Sequence, residues 1–115
     1  MINAEKHLEK AIKIHPEYAD AHFELALILK DKGKNEKAKE HLLKVIEIHP
    51  EYAKAHFHLA LLSIVTEDQK ASQRYFIKAI DLDQEFADAH YHYGLLLANL
   101  EEYEEAKNNF EKTTD

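Results

Sequence analysis

Nine histidines and no cysteine in 115 residues pose the first chemical question, because clustered imidazoles serve as metal ligands or acid–base groups. His22, His56 and His90 recur at intervals of 34 residues, and His58 and His92 follow two of them in a His-x-His pattern. A zinc site needs three or four ligands converging at about 2 Å from the ion. On one helix the two rings of His-x-His point about 200° apart. Equivalent rings on neighbouring helices are separated by at least the helix-packing distance, about 8–10 Å. The spacing therefore predicts packed, hydrogen-bonded imidazoles, with no metal and no cofactor. What such rings do offer is titration. Protonating all nine would carry the formal charge from −7 to +2. A core histidine obliged to stay neutral then weakens the fold in acid.

Other reactive groups point away from catalysis. Glu101-Glu102 and Glu104-Glu105 fall in a turn and on a solvated helix face, where runs of acids are ordinary. Ser63 and Ser72 are the only serines and have no nucleophile motif around them, and Gly33 and Gly94 stand alone rather than in a phosphate loop. The expectation is a protein that is not an enzyme. The charge of −7 and the lack of a basic face exclude a duplex nucleic-acid binder. The longest apolar run, Leu59–Val65, is interrupted by Ser63 and too short for a bilayer. No secretory leader opens MINAEKHLEK, and with no cysteine the expected location is cytoplasmic.

The elements that carry these residues follow from an internal repeat. KIHPEYADAHFELAL at 13–27 returns as EIHPEYAKAHFHLAL at 47–61, with twelve of fifteen positions identical. Farther along, Ala26, Ala60 and Gly94 align, as do Ala38, Ser72 and Ala106, and then Leu42, Phe76 and Phe110. A fixed period of this length marks a stacked array of supersecondary units. Two glycines and two prolines suit long helices on short connections rather than sheets with tight turns. Each unit reads as two helices: 19–32 with 35–48, 53–66 with 69–82, and 87–100 with 103–113, after a lone helix at about 3–14. Gly33 ends the first, Asn35 is placed as an N-cap, and His49-Pro50 ends the second.

The units read H22-x2-L25-A26-x2-L29…A38-x3-L42…P50, H56-x2-L59-A60-x2-S63…S72-x3-F76, and H90-x2-Y93-G94-x2-L97…A106-x3-F110. This resembles the tetratricopeptide repeat family, whose pattern is W-x2-L-G-x2-Y, A-x3-F, P over 34 residues. Histidine stands in the large aromatic's place, Glu67 and Glu101 stand where Gly33 stands, Gln84 replaces the closing proline, and Ser63 replaces a large core residue. The resemblance implies an all-α, right-handed α-solenoid of seven helices in antiparallel pairs over residues 1–115. Residues 1–18 would supply the second helix of a partial repeat, followed by repeats at 19–52, 53–86 and 87–115, without a capping helix.

The resemblance also implies a concave groove lined by the first helices. Its positions fall on Asp20, Phe23, Leu27, Lys30 and Asp31; on Lys54, Phe57, Leu61, Ile64 and Val65; and on Asp88, Tyr91, Leu95, Ala98 and Asn99. The expected groove carries an aromatic row, Phe23–Phe57–Tyr91, beside a leucine row, Leu27–Leu61–Leu95, with Lys54, Ile64 and Asn99 completing the contact set. Some family members clamp acidic tails with Lys, Asn and Arg at these places, which here are aromatic and leucine. An apolar or amphipathic peptide of a protein partner is the ligand such a groove suits. The competing role is self-association of copies through apolar edges at Leu8, Ile12 and Phe110.

Overall fold

The computed structural model of the protein describes residues 4–100 and 103–114, with side chains over 4–100 and 107–112. Its seven helices are α1 (Ala4–Ile14), α2 (Ala19–Asp31), α3 (Asn35–Ile48), α4 (Ala53–Val65), α5 (Gln69–Leu82), α6 (Ala87–Asn99) and α7 (Tyr103–Thr114). No strand occurs among the described residues. The helices pack as antiparallel pairs, α2 with α3, α4 with α5 and α6 with α7, and the pairs stack into a rod of 48 × 25 × 24 Å. That shape follows from a repeat that buries its faces only against its neighbours.

The same small residues recur where helix backbones meet. Ala26, Ala38, Ala60 and Ser72 have no exposed surface, and they face the large buried side chains Leu25, Leu42, Leu59 and Phe76. Ser72 keeps a hydroxyl in this dry contact by donating to the Ala60 carbonyl at 3.0 Å, and Ser63 donates to Leu59 at 2.8 Å. Each of these buried hydroxyls thereby offsets its desolvation. At Gly94 an added Cβ would meet the Phe110 ring at 3.2 Å, so α6 approaches α7 more closely than an alanine would allow at rest.

The turns show how fixed the geometry is. After α2, Gly33 takes φ +79° while the Lys34 amide donates to Leu29 and the Gly33 amide to Lys30. After α4 the same pair of bonds forms, Asp68 to Ser63 and Glu67 to Ile64, and Glu67 is driven to φ 63°. This helix-ending motif demands a left-handed residue whatever its type, and an L-residue pays about 1 kcal/mol or more there. Position 101 lies outside the described residues. Asn35 is not the cap: Lys34 is, and it offers no side-chain bond. Asp68 caps α5 by accepting from the Ala71 amide at 3.1 Å. Where Gln84 replaces proline, Asp83 still adopts the extended conformation that His49 takes before Pro50, and its carboxylate accepts the Glu85 amide at 3.2 Å. A side-chain hydrogen bond has substituted for the proline ring.

Candidate protein-interaction surface

The three core histidines act as joints between units. His22 Nε2 lies 2.8 Å from the Pro16 carbonyl, His56 Nε2 2.8 Å from Pro50 and His90 Nε2 3.0 Å from Gln84. Each ring therefore donates across the turn that links one helix pair to the next. With Nε2 committed as donor, the neutral ring's Nδ1 is an acceptor. His22 Nδ1 meets His41 Nδ1 at 2.9 Å, and His90 Nδ1 lies 3.0 Å from Asn109 Oδ1, a contact that becomes a hydrogen bond when the Asn109 amide is turned to present its NH2. His56 Nδ1 is buried without a partner, because Tyr75 holds the position of His41 and presents a ring 6.2 Å away. Among the described residues no group of three or more metal-ligating side chains converges.

The first helices α2, α4 and α6 stand side by side. Phe23 of α2 packs at 5.1 Å on Tyr52 and at 5.6 Å on His58. Phe57 of α4 packs at 5.0 Å on Phe86 and at 5.6 Å on His92. These seams alter the expected aromatic row. Phe23 and Phe57 are only 6% and 7% exposed, because the next unit closes over each of them, whereas Tyr91 is 47% exposed. Burying an aromatic face between two units removes far more apolar area from water than leaving it in an open groove. Leu27 and Leu61 are half-buried for the same reason, and Leu95 is exposed.

The open apolar surface of this face therefore gathers at α4 and α6: Ile64 (40%), Val65 (61%), Tyr91 (47%) and Leu95 (39%). The sequence pattern placed these residues on the face but could not show which ones the stacking would cover. Asp20, Lys54, Asp88 and Asn99 are exposed around it. Lys54 also lines an opening of 410 Å³ between α4 and α6, together with Asp83, Glu85 and Asp88. The edge residues Leu8 and Ile12 pack against the α2–α4 core and Phe110 against the α4–α6 core, so all three are half-buried within the chain. The acidic side chains at 101, 102, 104 and 105 lie outside those described.

Polar contacts on this face differ from seam to seam. Lys30 Nζ donates to His58 Nδ1 at 2.9 Å, and burial followed by the nearby Lys30 charge pushes the His58 pKa down to about 4. Burial likewise lowers the Lys30 ammonium from its ordinary value. Tyr52 donates to Asp20 at 3.1 Å, and burial, then that hydrogen bond, raises its phenol to about 12. At the second seam the corresponding residues are Ile64 opposite His92 and Lys54 opposite Phe86, so neither bond can form there.

Family comparison agrees with this geometry. A tetratricopeptide repeat model matches residues 2–62, and a second one matches 53–86 and 87–114. The chain belongs to the tetratricopeptide repeat family. Among solved structures it resembles that of MamA at 26% identity and TM-score 0.86, covering 95% of this chain and 64% of that one. The repeat protein YrrB, whose structure is described as having an unusual peptide-binding site, matches at 25% identity and TM-score 0.86, over 92% of this chain and 55% of that one. Pseudomonas aeruginosa PilF, at 20% identity and TM-score 0.88 over 95% and 50% of the two chains, shares the fold. The chain thus spans about 50–64% of the length of these relatives. No curated protein sequence matches it. Among the described residues no helix is long and apolar enough to cross a membrane.

Proposed function

We propose that this tetratricopeptide array is a non-enzymatic interaction scaffold that binds an apolar or amphipathic peptide segment of a partner protein on the face made by α2, α4 and α6. The observation that carries the reading is the patch Ile64, Val65, Tyr91 and Leu95, four large apolar side chains open to solvent on a face whose equivalents in the first unit are charged or covered. Exposed apolar surface gathered in one place and rimmed by charge is the mark of a docking site. A helix with apolar anchors, or an extended segment with alternating ones, would cover it. Leu27 and Leu61 would form the floor, with Lys54, Asp88 and Asn99 at the rim. YrrB, as a relative described by its peptide-binding site, supports the same use of the fold.

Peptides selected on the protein from a random-sequence phage library test this reading. Selected peptides should carry apolar anchors and lose roughly tenfold or more in affinity when Ile64 and Leu95 are both changed to Asp. Leu43→Asp, an exposed apolar position on a second helix, should leave affinity unchanged. Equal loss from Leu43→Asp, or none from the pair, would move binding elsewhere.

Self-association is a second reading with its own observation. Tyr18 is 50% exposed at the register position of Tyr52 and Phe86, and Tyr91 is exposed at the position of Phe23 and Phe57. A contact between copies that sets Tyr18 of one against Tyr91 of another would cover both rings, in a packing other than the array's own register, where α1 and α7 would hold the same place. Light scattering across concentration decides: a mass that stays monomeric at the highest concentration removes this reading.

A further inference from the structure

Among the described residues α1 is a second helix without a first. In the pairs α2–α3 and α4–α5 the second helix is shut where it meets its partner: Ala38, Leu42 and Val45 of α3, like Ser72, Phe76 and Ala79 of α5, have no exposed surface. In α1 the same register positions are Ala4, Leu8 and Ala11. Ala4 is exposed, Leu8 and Ala11 are half-buried, and α1 holds no fully buried residue. Yet α1 packs on α2 as α3 packs on α4, with Leu8 and Ile12 against the first core cluster. The side left open is therefore the one that a first helix takes, and one helix of a unit cannot bury its apolar face alone.

The turn after α1 is open in the same way. Ile14 is 62% exposed and Tyr18 50%, whereas their counterparts Ile48 and Tyr52, and again Leu82 and Phe86, are half-buried. Tyr52 is covered by the Phe23 ring of the preceding first helix, 5.1 Å away.

The array itself shows what fits such a face. Each time it is covered by a helix that sets an alanine, Ala26 or Ala60, at the closest approach and an aromatic ring, Phe23 or Phe57, on the seam. The first seam adds two polar contacts, Tyr52 donating to Asp20 and Lys30 donating to His58. Moved back by one unit, that seam has Tyr18 in the place of Tyr52 and Glu24 in the place of His58, and both are exposed. A helix lying there meets a phenol able to donate and a carboxylate able to accept from a cation. Its complement is an acid in its first turn, an aromatic three residues on, an alanine three further, and a cation four beyond that. α2 carries this order in Asp20, Phe23, Ala26 and Lys30.

We propose that the α1 end of the rod receives a helix of a partner polypeptide with the order acid-x2-aromatic-x2-alanine-x3-cation, seated where a unit's first helix lies. Its apolar stripe covers Leu8 and Ala11, its aromatic ring covers Tyr18, and its cation meets Glu24. The site stands apart from the patch on α4 and α6 and does not depend on it. The probe is an N-acetylated peptide with the sequence of residues 18–34 of this chain, titrated into the intact protein and followed by NMR. Saturable shifts at Leu8, Ala11, Ile14 and Tyr18 are expected, with contacts between the peptide's phenylalanine ring and Tyr18. A peptide carrying Lys30→Glu should bind about threefold more weakly, and Glu24→Lys in the protein should restore its binding. Absence of saturable shifts, shifts centred on Ile64 and Leu95, equal binding of a peptide of shuffled sequence, or no recovery with Glu24→Lys would overturn the proposal. Light scattering without peptide should give a constant mass over the same concentrations. A rising mass, with Leu8 and Tyr18 shifting in step, would assign the face to a second copy and overturn it as well.

Discussion

The pairs α2–α3 and α4–α5 are built from nearly the same words and reach different ends. Their backbones agree down to the hydrogen bonds of the closing turn, yet the first pair satisfies its core histidine on both nitrogens and the second leaves His56 Nδ1 without a donor. The first pair ends on Gly33 and the second on a strained Glu67. The first seam carries Lys30–His58 and Tyr52–Asp20 bonds, and the second has apolar or unmatched residues in those places. Helix geometry is thus set by the repeated small and large residues, while polar contacts are decided one side chain at a time. An array can drift in its surface chemistry without losing its stacking.

The largest effect should come from breaking the shared part. Phe76→Ala removes a fully buried ring that packs on Phe57 and Tyr93, and should cost about 3–5 kcal/mol. Phe57→Ala should cost nearly as much, whereas Tyr91→Ala, at the same register but open, should cost less than about 1 kcal/mol. Denaturant melts of the three variants check the order. Equal costs for Phe57 and Tyr91 would mean that the units do not close over one another as described.

Acid should expose the next difference. His58 drops from 6.5 to about 4 in the folded protein, so between those values the unfolded chain binds a proton that the fold refuses. The stabilisation is complete above pH 6.5 and drains away as pH falls toward 4. At about 1.4 kcal/mol per pKa unit, discounted for screening at a partly exposed ring, the loss is about 2 kcal/mol. His41 and His56, both lowered chiefly by burial, add losses of the same sign below pH 6.5. Melting temperature against pH should flatten in His58→Phe. Lys30→Ile, which copies the second seam into the first, should raise the His58 pKa, as read from its ring shifts by NMR.

Smaller changes sharpen the comparison at the turns. Glu67→Gly should stabilise the protein by about 1 kcal/mol, and Gly33→Ala should destabilise it by a similar amount, because both positions are left-handed. Chemical denaturation measures both, and opposite signs are required. The smallest effect is Tyr52→Phe, which makes the first seam resemble the second at the cost of one exposed hydrogen bond, less than about 1 kcal/mol. A matching loss in a Tyr52→Phe, Asp20→Ala double variant, with no further decrease, would confirm the pair as one interaction.

Most of the architecture was legible in residue order, since Ala26, Leu42, His56 and Phe76 fall at fixed spacings that only stacked helix pairs bury. The surface was less legible. Phe23 and Tyr91 share a register position and an aromatic ring, and nothing local distinguishes them, because cover comes from residues some thirty positions away in the next unit. The bond between His22 and His41 escaped notice because it joins two helices of one pair, and the next unit has Tyr75 at the position of His41.

By itself, then, the sequence determined the period, the helix pairs and which positions must be small or large, because those follow from 3.6-residue periodicity and from steric limits that act locally. Only the tertiary structure decided which aromatics are closed, which histidine nitrogens are paired and which turn residue is strained. Those outcomes depend on atoms brought together from different units, where a single methylene or ring nitrogen changes what is in contact.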